Sequence, residues 1–172
     1  MEAKPVPQFA DLVRDHQALV FSIAYHYLHD RGAAEELAQE VFLQLHQHLA
    51  AIRSAEHAGH WLRKAAVHRS IDYGRRARAR PQFSLEDAPE PSTPASESDP
   101  LLSGRLRKLV ASLPEKPRMV MVLRYQEDLE PAEIAGLLNM PVRTVKSHLA
   151  RSLAMLRDKF ARTVSAATGE TL

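Results

Sequence analysis

The stretch PQFSLEDAPEPSTPASESDP, residues 81–100, constrains this chain more than any other. It holds five prolines, five acids and four serines. Proline removes backbone donors and blocks helix interiors, and so few apolar groups cannot offset the entropy of ordering the segment. The segment is therefore a flexible acidic linker between two small units, residues 1–80 and 101–172. Fully extended it reaches about 65 Å, at roughly 3.3 Å per residue. That is nearly two turns of duplex DNA, at about 34–36 Å each.

Charge follows the same division. Residues 1–80 carry a net +2, residues 81–100 a net −5, and residues 101–172 a net +5, which the whole-chain value of +2 conceals. Basic blocks on either side of an acidic tether suit a polyanionic partner. The absence of cysteine excludes disulfides and thiolate metal sites and fits a reducing cytoplasm. The opening MEAKPVPQFADLV lacks the apolar core of a secretion signal, and no apolar run approaches a membrane span, so the expected location is cytoplasmic.

Both units read as helical, with no strand alternation of useful length. In the first, Phe9, Leu12, Val13, His16, Leu19, Val20, Ile23, Ala24 and Tyr27 keep the spacing of one helix face, which Asp30-Arg31-Gly32 ends. A second helix is expected from about Ala33 to Leu49, with Ala34, Leu37, Ala38, Val41, Leu45 and Leu49 inward. A third starts near His57 and runs through Trp61, Leu62, Ala65, Ala66 and Tyr73 into GRRARAR. In the second unit, Leu101, Leu102, Leu106, Leu109, Val110 and Leu113 form one stripe, and Pro114 and Pro117 mark a break and a new start. The next helix carries Val120, Val122, Leu123 and Tyr125. Glu130-Pro131 opens a short one that closes at Leu138-Asn139, because proline suits the first helical position and asparagine tolerates a left-handed exit.

PVRTVKSHLARSLAMLR, residues 141–157, follows that turn. At 100° per residue Val142, Val145, Leu153, Leu156 and Phe160 fall within about 40° of Leu149, a stripe that must be buried. Opposite it lie Arg143, Ser147 and Arg151, with Thr144 beside them and Lys146 and His148 on the flanks. A short helix, a three-residue turn and a longer helix with this polar row make a helix-turn-helix pattern. Its chemistry suits a major groove: arginine forks onto guanine, serine and threonine reach bases or phosphates, and Ala150 can meet a thymine methyl. The competing reading is a solvated helix in a bundle.

The residues EIAGLLNMPVRTVKSHLARSLAMLR (133–157), preceded by LPEKPRMVMVLRYQEDL (113–129), resemble region 4 of bacterial sigma factors of the extracytoplasmic-function (ECF) group, sigma-70 family. Independently, AAEELAQEVFLQLHQHL (33–49) resembles region 2.2 of that group, and HWLRKAAVHRSIDYGRRARAR (60–80) its regions 2.3 and 2.4. The resemblance covers roughly residues 8–80 and 101–160, in family order, without the extra regions of larger sigma factors. It implies an all-α fold of two small helical domains and a role in transcription initiation. The factor would bind core RNA polymerase and promoter DNA, melting the −10 element and reading the −35 element as duplex. It also implies a cognate anti-sigma factor, often membrane-anchored, with no cofactor, no small-molecule substrate and no catalysis of its own.

Carried over residue by residue, the −35 contacts fall on Arg143, Thr144, Lys146, Ser147, His148 and Arg151. The family more often has glycine at 143 and arginine at 148, so the −35 sequence read here is expected to differ. The −10 contacts fall on Trp61, Lys64, His68, Arg69, Arg75 and Arg76, on a helix that also carries Arg63, Arg78 and Arg80. A cationic groove with aromatic platforms suits a single strand, although a lone tryptophan in a bundle is also a common core residue. His68 stands where the family's WLxxIAxN motif has asparagine, which alters the expected base preference. Glu36, Gln39 and Glu40 match positions that face the polymerase. A helix-dipole role accounts for Glu35 and Glu36 at a first turn, but not for Gln39 and Glu40 in mid-helix.

Other classes fit less well. His46 and His48 point about 200° apart on a helix, and His57 and His60 lack a third ligand, so no metal site is expected. The six glycines form no phosphate-cradling loop. A sigma-like decoy that binds an anti-sigma factor without a promoter should lose cations on its reading helices, which this chain keeps. A plain helix-turn-helix regulator leaves the first unit without a purpose.

Overall fold

The computed structural model describes residues 7–80 and 100–168. Most of the expected linker, 81–99, lies outside the described residues, as do the side chains of Leu101 and Leu102. Among the described residues there are seven α-helices and no strand. The first three are α1 (Phe9–Leu28), α2 (Arg31–Gln47) and α3 (Ala55–Ala79), with a short 3-10 turn at Leu49–Ala51. The others are α4 (Pro100–Ala111), α5 (Glu115–Tyr125), α6 (Pro131–Leu138) and α7 (Val142–Thr168).

The first reversal is tighter than the sequence suggests. His29 takes a left-handed conformation at φ 55° and ends α1. Asp30 then caps α2 at once, its carboxylate accepting from the Ala33 N–H at 2.9 Å. Gly32 is therefore not the helix breaker expected at this point. With the left-handed residue already supplied by His29, Gly32 lies inside the first turn of α2, and α2 starts at Arg31 rather than near Ala33. Helix α3 likewise starts two residues before His57, because the Ser54 hydroxyl accepts from the His57 N–H at 3.1 Å and fixes the cap.

Helix α1 is the hub of the first three helices, packed on both α2 and α3. Its Leu12, Val20, Ile23, Ala24 and Tyr27 are buried, against Leu37, Val41 and Leu45 of α2 and Leu62, Ala66 and Val67 of α3. Each fully buried large aliphatic contributes about 1.5–3 kcal/mol relative to exposure. Gly74 allows α3 to approach closely, since a Cβ there would stand 3.1 Å from the Tyr27 ring.

The second group is framed by α5 and α7. Met119, Val120, Met121, Val122 and Leu123 of α5 are buried, with Ile134, Ala135 and Leu137 of α6 and Val145 and Leu156 of α7. Pro117 does not restart the helix; it sits inside the first turn of α5, which Pro114 precedes. The α6 entry is fixed by the Glu130 N–H donating to the Glu133 carboxylate at 2.8 Å, and its exit by Asn139 at φ 49°. Of the expected apolar stripe of α7, Val145 and Leu156 are buried and Leu149, Leu153 and Phe160 are half-buried, whereas Val142 is 39% exposed, because it is the first residue of the helix and stands beyond its packed face. Leu106 and Tyr125, expected inward, are exposed on the rims of α4 and α5.

The two groups also touch. One continuous buried cluster runs from α1 and α3 to Met119, Val120 and Leu123 of α5 and Ile134 of α6. Where α1 ends against this boundary, burial pushes the His29 imidazole down from its ordinary 6.5 to about 4, aided by the charges of Arg118, His26 and Arg107. A depressed histidine contributes stability that is present above pH 6.5 and is lost as pH falls toward 4. His29→Asn, which keeps a residue suited to the left-handed turn, is expected to flatten the dependence of the urea midpoint on pH between 6.5 and 4.

Candidate nucleic-acid and polymerase interfaces

Helices α6 and α7 form the helix-turn-helix, with residues 139–141 as its turn. The carbonyl of Pro141 accepts from the N–H groups of Thr144 (2.9 Å) and Val145 (3.2 Å), which fixes the entry of α7. Arg143, Lys146, Ala150 and Arg151 stand exposed on α7, while Thr144, Ser147 and His148 are half-buried at the edges of that face. The cations are thus free for a ligand, and the smaller polar side chains are held by the bundle. Burial lowers the pKa of His148, with the charges of Arg151 and Lys116 pushing the same way. Its imidazole is therefore neutral near pH 7, offering one donor and one acceptor rather than a cation. In an NMR titration His148 is expected to lose its proton below the ordinary 6.5, and Arg151→Ala to move that midpoint upward.

The cations of α3 divide into two strips. Trp61, Lys64, His68 and Arg75 fall within about 60° of one another on the helix, whereas Arg69 and Arg76 lie on the neighbouring strip. Lys64, His68, Arg75 and Arg76 are exposed, Arg69 is half-buried, and Trp61 is half-buried with its ring tilted 5.8 Å from that of His48. Trp61 is thus neither a core residue nor a free platform. Arg69 and Arg76 line a groove with Glu36 and Glu40 of α2, and Arg69 approaches the Glu40 carboxylate at 3.6 Å. Arg75 is the member most altered by the tertiary fold. Its guanidinium forks onto Glu115 of α5, at 2.6 and 3.1 Å.

Glu36, Gln39 and Glu40 are all exposed on α2. They do not form one homogeneous patch. The two glutamates border the α3 groove, whereas Gln39 borders an apolar groove between α1 and α2 lined by Val13, Phe21, Phe42 and Leu43. Leu43 is 65% exposed, a large leucine on the outer face of a helix. Sequence reasoning passed over it. The available signal was its register, since it falls between the inward Val41 and Leu45. Among the described residues no group of three or more His, Asp or Glu side chains could hold a metal ion, and no helix is long and apolar enough to cross a membrane.

Comparison with known proteins places this arrangement. Residues 12–80 match the family description Sigma-70 region 2, and residues 103–156 match Sigma-70, region 4. The chain is 28% identical over 168 residues to the ECF RNA polymerase sigma factor SigW of Bacillus subtilis, covering 88% of each sequence. It is 31% identical over 161 residues to the ECF RNA polymerase sigma-E factor of Escherichia coli K12, covering 86% of this chain and 84% of that one. Its fold is similar to that of the sigma factor RpoE of Bartonella quintana, solved with the anti-sigma factor NepR. That match has a TM-score of 0.68 and 14% identity, covering 87% of this chain and 94% of the other. With both sigma regions matched in order and whole-length similarity to ECF factors, this chain belongs to the ECF group of the sigma-70 family.

Proposed function

We propose that this chain is an alternative sigma factor that joins core RNA polymerase, directs it to a set of promoters, and is held in check by an anti-sigma factor. The observation that carries this is the pairing of a region 2 match with a region 4 match in one chain. In this proposal residues 1–80 engage the polymerase and the melted −10 strand, 81–100 serve as the linker, and 101–172 read the −35 duplex. The chain acts in the cytoplasm and catalyses nothing itself; it supplies binding energy and position to the polymerase.

Each assignment has a physical basis. Arg143, Lys146 and Arg151 are exposed cations on one helix, suited to guanine edges and phosphates, and Thr144, Ser147 and neutral His148 border them with hydrogen-bonding groups. Trp61, Lys64, His68 and Arg75, with Arg69 and Arg76 alongside, give α3 the cationic and aromatic character a single strand needs. Glu36, Gln39 and Glu40 together with Leu43 and its apolar groove give α2 a mixed surface, an apolar anchor beside carboxylates, of the kind that binds a basic protein partner. For the anti-sigma factor we assign the apolar cleft of about 590 Å³ where His26 and His29 meet Leu106, Met121, Leu153 and Phe160. A relative of this fold is known in complex with such a protein.

In vitro transcription with core polymerase and a promoter library tests the proposal. Initiation on a subset of promoters is expected. Failure on every promoter, together with tight binding of an anti-sigma factor, would favour a decoy, and duplex binding that needs no polymerase would favour a simple regulator. Leu43→Glu is expected to weaken binding to core polymerase about tenfold or more in a titration, from the loss of a desolvated apolar anchor. Arg151→Ala is expected to reduce −35-dependent initiation about 5- to 150-fold, the equivalent of roughly 1–3 kcal/mol for one base-reading arginine. Unchanged values would remove the corresponding assignment.

A further inference from the structure

The apolar cleft assigned above to an anti-sigma factor also has the composition of a small-ligand pocket. Its volume of about 590 Å³ lies inside the roughly 300–1,000 Å³ of pockets that take such ligands. Leu106 and Val110 of α4, Met121 of α5, and Leu153 and Phe160 of α7 give it apolar walls, and α1 adds His26 and His29. Burial disfavours the charged form of both imidazoles, so that wall is neutral near pH 7. Leu106 and Tyr125 are exposed at the edge, 49% and 55%. The charges on the lining have one sign. Arg107 and Arg157 line the cleft, and among the described residues no carboxylate does. Arg105 and Lys108, also exposed, lie on α4 to either side of Leu106 and Arg107.

We propose that this cleft binds a long-chain alkyl carboxylate, with the alkyl chain laid between α4, α5 and α7 and the carboxylate forked by Arg157. Apolar walls offer no partner to polar groups, and an alkyl chain asks for none. Its one anion suits a guanidinium, which meets a carboxylate in a planar, two-bonded fork. Arg157 is exposed and enters no ion pair among the described residues, so its fork is open to a ligand. An acidic amphipathic helix has the same sign of charge, but it brings a row of carboxylates to a lining with two cations. The residues proposed to meet DNA and polymerase line no part of the cleft. A bound ligand therefore leaves those faces open and competes with the anti-sigma factor alone. That competition rests on the assignment of the cleft to the anti-sigma factor; ligand binding itself does not.

Titration calorimetry of the full-length chain with sodium dodecanoate, kept below its micelle concentration, tests the site. Saturable binding of one molecule is expected. Affinity is expected to rise about fourfold per methylene from decanoate through dodecanoate to tetradecanoate, the gain from burying one CH₂. Arg157→Gln is expected to weaken dodecanoate about tenfold or more, the scale of a lost hydrogen bond to a charged group. The same variant should leave dodecanol, which carries no charge, nearly unchanged. Val110→Trp, which fills the cleft, is expected to weaken acid and alcohol alike, with its circular dichroism and urea midpoint reporting that it folds. Arg157 is exposed, so its variant remains decisive should Val110→Trp not fold. No saturable binding by the parent overturns the proposal. So does affinity independent of chain length, an equal loss of acid and alcohol in Arg157→Gln, or full binding in a folded Val110→Trp, which places the ligand elsewhere. Binding of an acidic amphipathic peptide with leucines at i, i+3, i+4 and i+7, where dodecanoate gives none, also overturns it and hands the cleft to a helix. In that case the anti-sigma assignment stands, since it requires no small ligand.

Discussion

The burial of one face of α1 is the constraint on which the molecule turns. Leu12, Val20, Ile23, Ala24 and Tyr27 lie on that face and are packed from different sides by α2, α3 and α5. Because α1 is satisfied on its inner side, α2 and α3 turn their polar faces outward. The tight reversal at His29 and Asp30 fixes α2 alongside α1, and Gly74 brings α3 close enough for Tyr27 to fill the gap. Tyr27 then meets Arg118 from the other group. A single aromatic side chain thus belongs both to the core of the first helices and to their contact with the second set.

This arrangement distributes charge in a way a list of residues does not reveal. The carboxylates of α2 and the cations of α3 share a groove, so Arg69 and Glu40 partly neutralise each other. A polyanion approaching α3 meets Lys64 most openly, beside the exposed His68, because Arg75 on the same strip is already forked onto Glu115. A partner approaching α2 meets Leu43 and Gln39 on one side and Glu36 and Glu40 on the other. On α7, Arg143, Lys146 and Arg151 have no such acidic neighbour among the ion pairs of the described residues. Helix α7 is therefore the more freely cationic of the two. This fits the proposed division, in which one unit would hold intact DNA by charge and base edges and the other a strand together with a protein.

Histidine chemistry marks the boundary between the groups. His26 and His29 both have their charged forms disfavoured by burial, and His29 faces Arg118 and His26. Neutral imidazoles at an apolar cleft keep it accessible to an apolar partner near neutral pH, and acid would introduce cations where others already stand.

The amino-acid sequence by itself determined the helical class, the division around the acidic segment, the helix-turn-helix and the polar row of α7. Those are local properties: period, cap and breaker residues act over one or two turns, so Asn139 and Pro131 could be read without knowing their neighbours in space. The departures were local where a cap was misjudged, as at Asp30, or where a stripe outran its packing, as at Val142 and Leu106. Tertiary structure alone decided that Arg75 is engaged by Glu115, that Arg69 faces Glu40, that Trp61 rests against His48, and that Leu43 stands beside an apolar groove. The physical reason is distance along the chain. A guanidinium reads identically in sequence whether a phosphate, a carboxylate or water occupies its fork, and only the packing of α5 on α1 and α3 brings residue 115 within reach of residue 75.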